Sequence, residues 1–123
     1  MNKWQALHAF WSSFEWDAYD ASSVPDYAIS TAEHYITYEA ADAEFGSPIM
    51  LGASLWMKSH QWETISLKSK EIYDAIGWEG SRFPVDGGCI WIKRGTPFAT
   101  RLADENDDIR RIFINIEVDF LTA

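Results

Sequence analysis

Ile109-Arg110-Arg111-Ile112-Phe113-Ile114-Asn115-Ile116-Glu117-Val118-Asp119-Phe120-Leu121 is the stretch that decides the fold. Ile112, Ile114, Ile116, Val118 and Phe120 project to one side of an extended chain, and Arg111, Phe113, Asn115, Glu117 and Asp119 to the other. Strict alternation over this length predicts a strand with one apolar face against a core and a second face of different chemistry. Such a face needs a partner layer, so the rest of the chain is read for what could supply it.

Working outward, Cys89-Ile90-Trp91-Ile92-Lys93 reads as a strand, joined to Ser81–Val85 through the turn Asp86-Gly87-Gly88. Before it, Trp62, Ile65, Ser69, Ile72, Tyr73 and Ile76 recur at helical spacing, with Ser59 as the expected N-cap and Gly77 as the stop. Ile49, Leu51, Ala53, Leu55 and Met57 alternate with Met50, Gly52, Ser54 and Trp56, and pair with Tyr35–Glu39 as a hairpin. Trp4, Leu7, His8, Trp11 and Phe14 predict a helix over residues 2–14, while residues 15–33 show no clean period and read mostly as loop. The expectation is an α+β domain: an antiparallel or mixed sheet of about five strands with two main helices packed on one face. Strands arriving in pairs across short turns exclude a doubly wound parallel sheet.

A chain of 123 residues holds one domain, here spanning 1–123. Ten Lys and Arg stand against nineteen Asp and Glu, a net charge of -9 that disfavours tight binding of nucleic acid or an anionic membrane. The charge is segregated: residues 1–57 hold one Lys and eight acids, 58–101 hold seven basic residues and five acids, and 102–123 hold two and six. Unlike regions of this kind can dock on copies of the same chain or on a neighbour. Aromatic residues make up 15% of the chain, too many for so small an interior to bury completely, so several are expected at the surface or at an interface. No apolar run is long enough for a membrane helix, and no signal run follows Met1, so a cytoplasmic setting is expected.

Signs of chemistry are sparse. Gly87-Gly88 has neither dinucleotide nor P-loop spacing and reads as a hairpin turn. His8, His34 and His60 are far apart, and the single cysteine, Cys89, adjoins none of them, so no metal site is expected. Asp104, Glu105, Asp107 and Asp108 read as solvated loop charge rather than a general acid/base pair. No catalytic residue, metal or organic cofactor is expected.

The order of elements, with LHAFWSSF (7–14), YITY (35–38), ASLW (53–56), WETI (62–65), GGCIWIKRGTPF (87–98) and IRRIFINIEVDFL (109–121), resembles the tail-terminator (tail-completion) proteins of long-tailed bacteriophages, often labelled minor capsid proteins. The resemblance covers nearly the whole chain and contains no catalytic signature. It implies a non-enzymatic subunit of a homo-oligomeric, hexameric ring, assembled in the host cytoplasm and placed in the virion at the head-proximal end of the tail. Its partners would be copies of itself, the tail tube protein and the head–tail connector protein, with phage DNA passing through without specific binding. Other neck or tube components, and a small ligand-binding domain with a Trp-lined pocket, are the alternative readings.

Within such a ring, Trp56 and Trp91 are the expected exposed aromatics, since each alternates against the aliphatic set of its strand. Residues 94–108 read as a long connection between strands, an arm in which Phe98 anchors by apolar burial and Arg94 and Arg101 pair with carboxylates of a neighbouring subunit.

Overall fold

The computed structural model describes residues 1–122. Nine elements follow in order: α1 (Lys3–Ser12), β1 (Ala18–Asp20), α2 (Asp26–Thr31), β2 (His34–Tyr38), β3 (Ile49–Lys58), α3 (Glu63–Ile76), β4 (Ser81–Val85), β5 (Gly88–Leu102) and β6 (Ile109–Leu121). The strands form one sheet in the order β1-β2-β3-β6-β5-β4. All neighbours are antiparallel except β1 and β2, which run parallel, so the sheet is mixed. The class is α+β, with six strands and three helices where about five and two main ones were expected.

The alternating stretch around which the fold was read is the inner strand β6. Its Ile112, Ile114, Ile116, Val118 and Phe120 are buried in a cluster with Leu51, Ala53 and Leu55 of β3 and Ile90 and Ile92 of β5. Leu7, Phe10 and Trp11 of α1 and Ile65, Ile72 and Ile76 of α3 close over them from the same side. Each large aliphatic side chain so buried contributes about 1.5–3 kcal/mol, and this layer is what holds helices to sheet.

The sheet curls around α1. Phe10 meets Phe83 of β4 at 5.6 Å between ring centroids, whereas Trp11 stacks on Tyr38 of β2 at 6.5 Å. β4 and β2 are separated by three other strands, so one helix can touch both only if the sheet wraps it. α1 starts from a reciprocal cap: Asn2 Oδ1 accepts from Gln5 N at 2.8 Å and Gln5 Oε1 accepts from Asn2 N at 2.9 Å.

Three expectations are corrected. Residues 15–33 are not mostly loop, for they contain β1 and α2; a three-residue strand and a six-residue helix are too short to show a period. Ser59 does not cap α3: Trp62 holds the N-cap position without a side-chain bond, and Ser59 Oγ instead accepts from Gln61 N at 3.0 Å to close a local turn. The arm over residues 94–108 does not exist as a connection. β5 runs on to Leu102, and residues 103–108 alone form the loop.

The last correction has a local cause. Arg94 pairs with Ile116 and Ala99 with Ile114, so β5 spends five residues where β6 spends two. The surplus is taken up by an irregularity at residues 95–98, after which the ladder resumes. Gly95-Thr96-Pro97 breaks the alternation that a sequence reading follows, although the strand itself continues.

Candidate functional site

The helices cover one face of the sheet, and the other is left open. On it, side chains from all six strands form two groups at opposite ends of β6. The first is a row across the sheet. Tyr19 of β1 meets Tyr35 of β2 edge-on at 6.4 Å, and Tyr35 stacks on Trp56 of β3 at 6.0 Å and 14°. The Arg111 guanidinium of β6 lies over the Trp56 ring at 4.5 Å. Register explains the row, since Tyr35 pairs with Trp56 and Trp56 with Arg111. Polar bonds fix the ring edges: Trp56 Nε1 donates to Thr37 Oγ1 at 2.9 Å, and Arg111 Nε to Ser54 Oγ at 3.1 Å.

The second group centres on Trp91 of β5. Its ring lies between the Lys93 ammonium at 3.9 Å and the Arg82 guanidinium at 4.4 Å, and its Nε1 donates to the Glu79 carbonyl at 3.0 Å. Trp91 pairs with Asp119 and Trp56 with Arg111, eight residues apart on β6, which puts the two indoles about 26 Å apart along the strand. Between them the Phe113 ring lies on Gly52, where any Cβ would collide with it and with the Glu39 carboxylate. Glu39 also accepts from Gly52 N at 3.1 Å. Asp119, on this face beside Trp91, is buried with its Oδ1 unpaired.

Trp56 and Trp91 sit on the face where the alternation placed them, but half-buried under their neighbours rather than exposed as expected. The other three candidate contacts lie on the opposite face and are engaged by α3 of their own chain. Arg94 stacks over the Tyr73 ring at 3.4 Å and its Nε donates to the Tyr73 carbonyl at 2.9 Å. Phe98 meets the same ring edge-on at 5.2 Å and packs against the core cluster. Arg101 lies 4.9 Å over Trp62 and reaches Ser66 Oγ at 3.3 Å. These side chains hold α3 to the sheet, so the three residues expected on a free arm lie together on the helix-covered face, apart from Trp56 and Trp91. Neither Arg94 nor Arg101 forms an ion pair among the described residues.

No family, curated protein or solved structure matches the chain. The site must be read from its own geometry.

Two features of the surface escaped sequence reasoning. Trp78, in the turn between α3 and β4, is 88% exposed. A polar cleft of about 360 Å³ also opens beside β1, lined by His8, Ser12, Glu15, Trp16, Asp17, Ala18, Tyr19 and Tyr27. In it His8 Nδ1 lies 2.9 Å from the Tyr38 hydroxyl and its Nε2 3.2 Å from Ser12 Oγ. The neighbouring Tyr27 hydroxyl, with some burial, pushes the Tyr19 phenol up to about 12. Glu15 holds a left-handed backbone at φ 68° at the cleft rim. The element that builds the cleft, β1 with α2, is the one the sequence read as loop, which is why its lining was not foreseen. Among the described residues no three His, Cys, Asp or Glu side chains converge as metal ligands, and no helix is long and apolar enough to cross a membrane.

Proposed function

We propose that this chain is a structural subunit of a long-tailed bacteriophage, forming a ring that caps the head-proximal end of the tail tube, ends its polymerisation and joins it to the head connector. The observation that carries the reading is the composition of the uncovered sheet face. A largely antiparallel sheet commonly leaves one face to water, and small polar residues then suffice there. Here the face holds Tyr19, Tyr35, Trp56, Phe113 and Trp91 instead, locked by Thr37, Ser54 and the Glu79 carbonyl and bracketed by Arg111, Arg82 and Lys93. Rigid aromatics held with their faces under arginine are the side chains that carry energy at protein interfaces, because little entropy is lost when a partner covers them.

The resemblance carried by residues 7–14, 35–38, 53–56, 62–65, 87–98 and 109–121 supports the same reading. So does the acidic balance: a lumen without excess positive charge lets DNA pass without holding it. In this reading the hexameric ring, the tube protein and the connector are the partners, the virion tail is the location, and no cofactor or chemical step is involved.

The test is the growth of tail tubes from purified tube protein with and without this chain. The reading expects tube length to fall and then stop changing once the chain matches the number of tube ends. Unaltered growth contradicts it, and long polymers formed by this chain alone would make it a tube component.

A further inference from the structure

We propose that a second copy of this chain is bound head to tail, with Trp78 of one copy seated in the β1 cleft of the next. The proposal rests on the ring reading for its closure, and on the two surfaces below for the contact itself.

Trp78 stands in the turn Gly77-Trp78-Glu79-Gly80, and the largest side chain of the alphabet is left 88% exposed there. The turn is built to present it. Gly80 has φ +81°, and a Cβ there would lie 2.6 Å from the Ile92 carbonyl oxygen and 2.7 Å from Trp91 Nε1, so the turn backbone is pressed directly onto β5. That contact is reinforced by the Trp91 Nε1 bond to the Glu79 carbonyl. A rigid turn presenting an unpacked indole is a knob without a socket in its own chain.

The cleft is a socket large enough for an indole, with an acidic lining. At about 360 Å³ it lies at the small end of ligand sites, suited to one aromatic side chain, and Trp16, Tyr19 and Tyr27 provide apolar walls. Its rim carries Glu15 and Asp17, and Asp26 opens the adjacent helix α2; none has an ion-pair partner among the described residues. On the Trp78 side, Arg82 of β4 is likewise without a carboxylate partner, its guanidinium spent on the Trp91 ring, and the turn itself holds a single acid, Glu79. β1 and β4 are the two edges of the sheet, so the two surfaces are different patches of one subunit. Contacts of that kind are heterologous and close into a ring when the rotation allows. Tyr27 at 63% and Ile29 at 56% exposure add apolar area beside the socket.

Sedimentation of the full chain over a concentration series tests this. Wild type is expected to self-associate, and Trp78→Ala to weaken association by at least about 30-fold. Its melting temperature should move by no more than about 2 °C, because an exposed side chain supports little of the fold. Arg82→Glu should weaken association, and Asp17→Arg in the same chain should restore part of it. With Cys89→Ser as background, a short bismaleimide should join Trp78→Cys protein to Ser12→Cys protein and leave either alone uncrosslinked. Wild type that stays monomeric throughout, a Trp78→Ala chain that associates normally, or crosslinking of the Trp78→Cys protein to itself overturns the proposal. Rings by electron microscopy that survive Trp78→Ala remove this contact and leave the ring reading standing. Loss of tube capping with the crosslink intact does the reverse.

Discussion

Replacing Phe98 with Ala distinguishes a residue built into the subunit from one on a free arm. Phe98 ends the irregularity in β5, meets Tyr73 edge-on at 5.2 Å and packs against the buried cluster while remaining half-buried. Full truncation of a buried Phe costs about 3–5 kcal/mol, and about half of that is expected for a ring half in solvent. The edge-on pair with Tyr73 adds about 0.5–1.5 kcal/mol beyond area. The sum is about 2–4 kcal/mol, which in a domain of this size lowers the melting temperature by about 8–16 °C. Differential scanning calorimetry on Phe98→Ala, with Arg101→Glu as a companion, reads it. Arg101 is exposed and touches only Ser66 and Trp62, so its replacement should move the melting temperature by a few degrees at most. A Phe98→Ala chain melting within about 2 °C of wild type would refute the reasoning and return residues 94–102 to a mobile extension.

Further outcomes follow from the same contacts. Trp91→Ala removes one hydrogen bond and two cation–ring contacts, and should cost about 2–3 kcal/mol in chemical denaturation with the slope unchanged. Gly52→Val forces the Phe113 ring and the Glu39 carboxylate off their seat, and should destabilise by more than about 2 kcal/mol, whereas Gly46→Ala, with open space around it, should cost only its left-handed backbone, about 1 kcal/mol. Lys3, which lies 2.7 Å from Asp42, and the Ala43 amide hold the Asp42 carboxyl below its usual value. A depressed carboxylate stabilises the folded chain above the unfolded value near pH 4 and loses that contribution as pH falls through the folded one. Carboxyl NMR should show Asp42 titrating lower than in Lys3→Ala protein. Tyr19 should ionise near pH 12 by ultraviolet titration, and Tyr27→Phe should bring it down.

What was legible in the sequence was what period two and period 3.6 can express. β3, β6, the first half of β5 and α3 each bury a regular set of residues, so Ile49 to Met57 and Ile112 to Phe120 declare both their state and their faces. Trp56 and Trp91 came with them, because a residue opposite a buried set must lie on the other face. What was not legible arose where local pattern is overruled. Gly95-Thr96-Pro97 interrupts β5 without ending it, since pairing with β6 supplies the order that the segment lacks. β1 and α2 are too short for a period, and the state of β1 is set by contacts to α1 and β2 that no local window contains. Trp78 gives no signal either: an indole between two glycines reads as a turn, and only the fold shows that nothing covers it.

Cryo-electron microscopy of the chain mixed with assembled tail tubes tests most directly the proposed ring that caps one end of a tube. The account predicts closed-ring density at one end of each tube only, with the Trp56 and Trp91 face or the Trp78 edge buried in subunit contacts. Density along the tube walls, rings absent from both ends, or the chain left free in the background would contradict it.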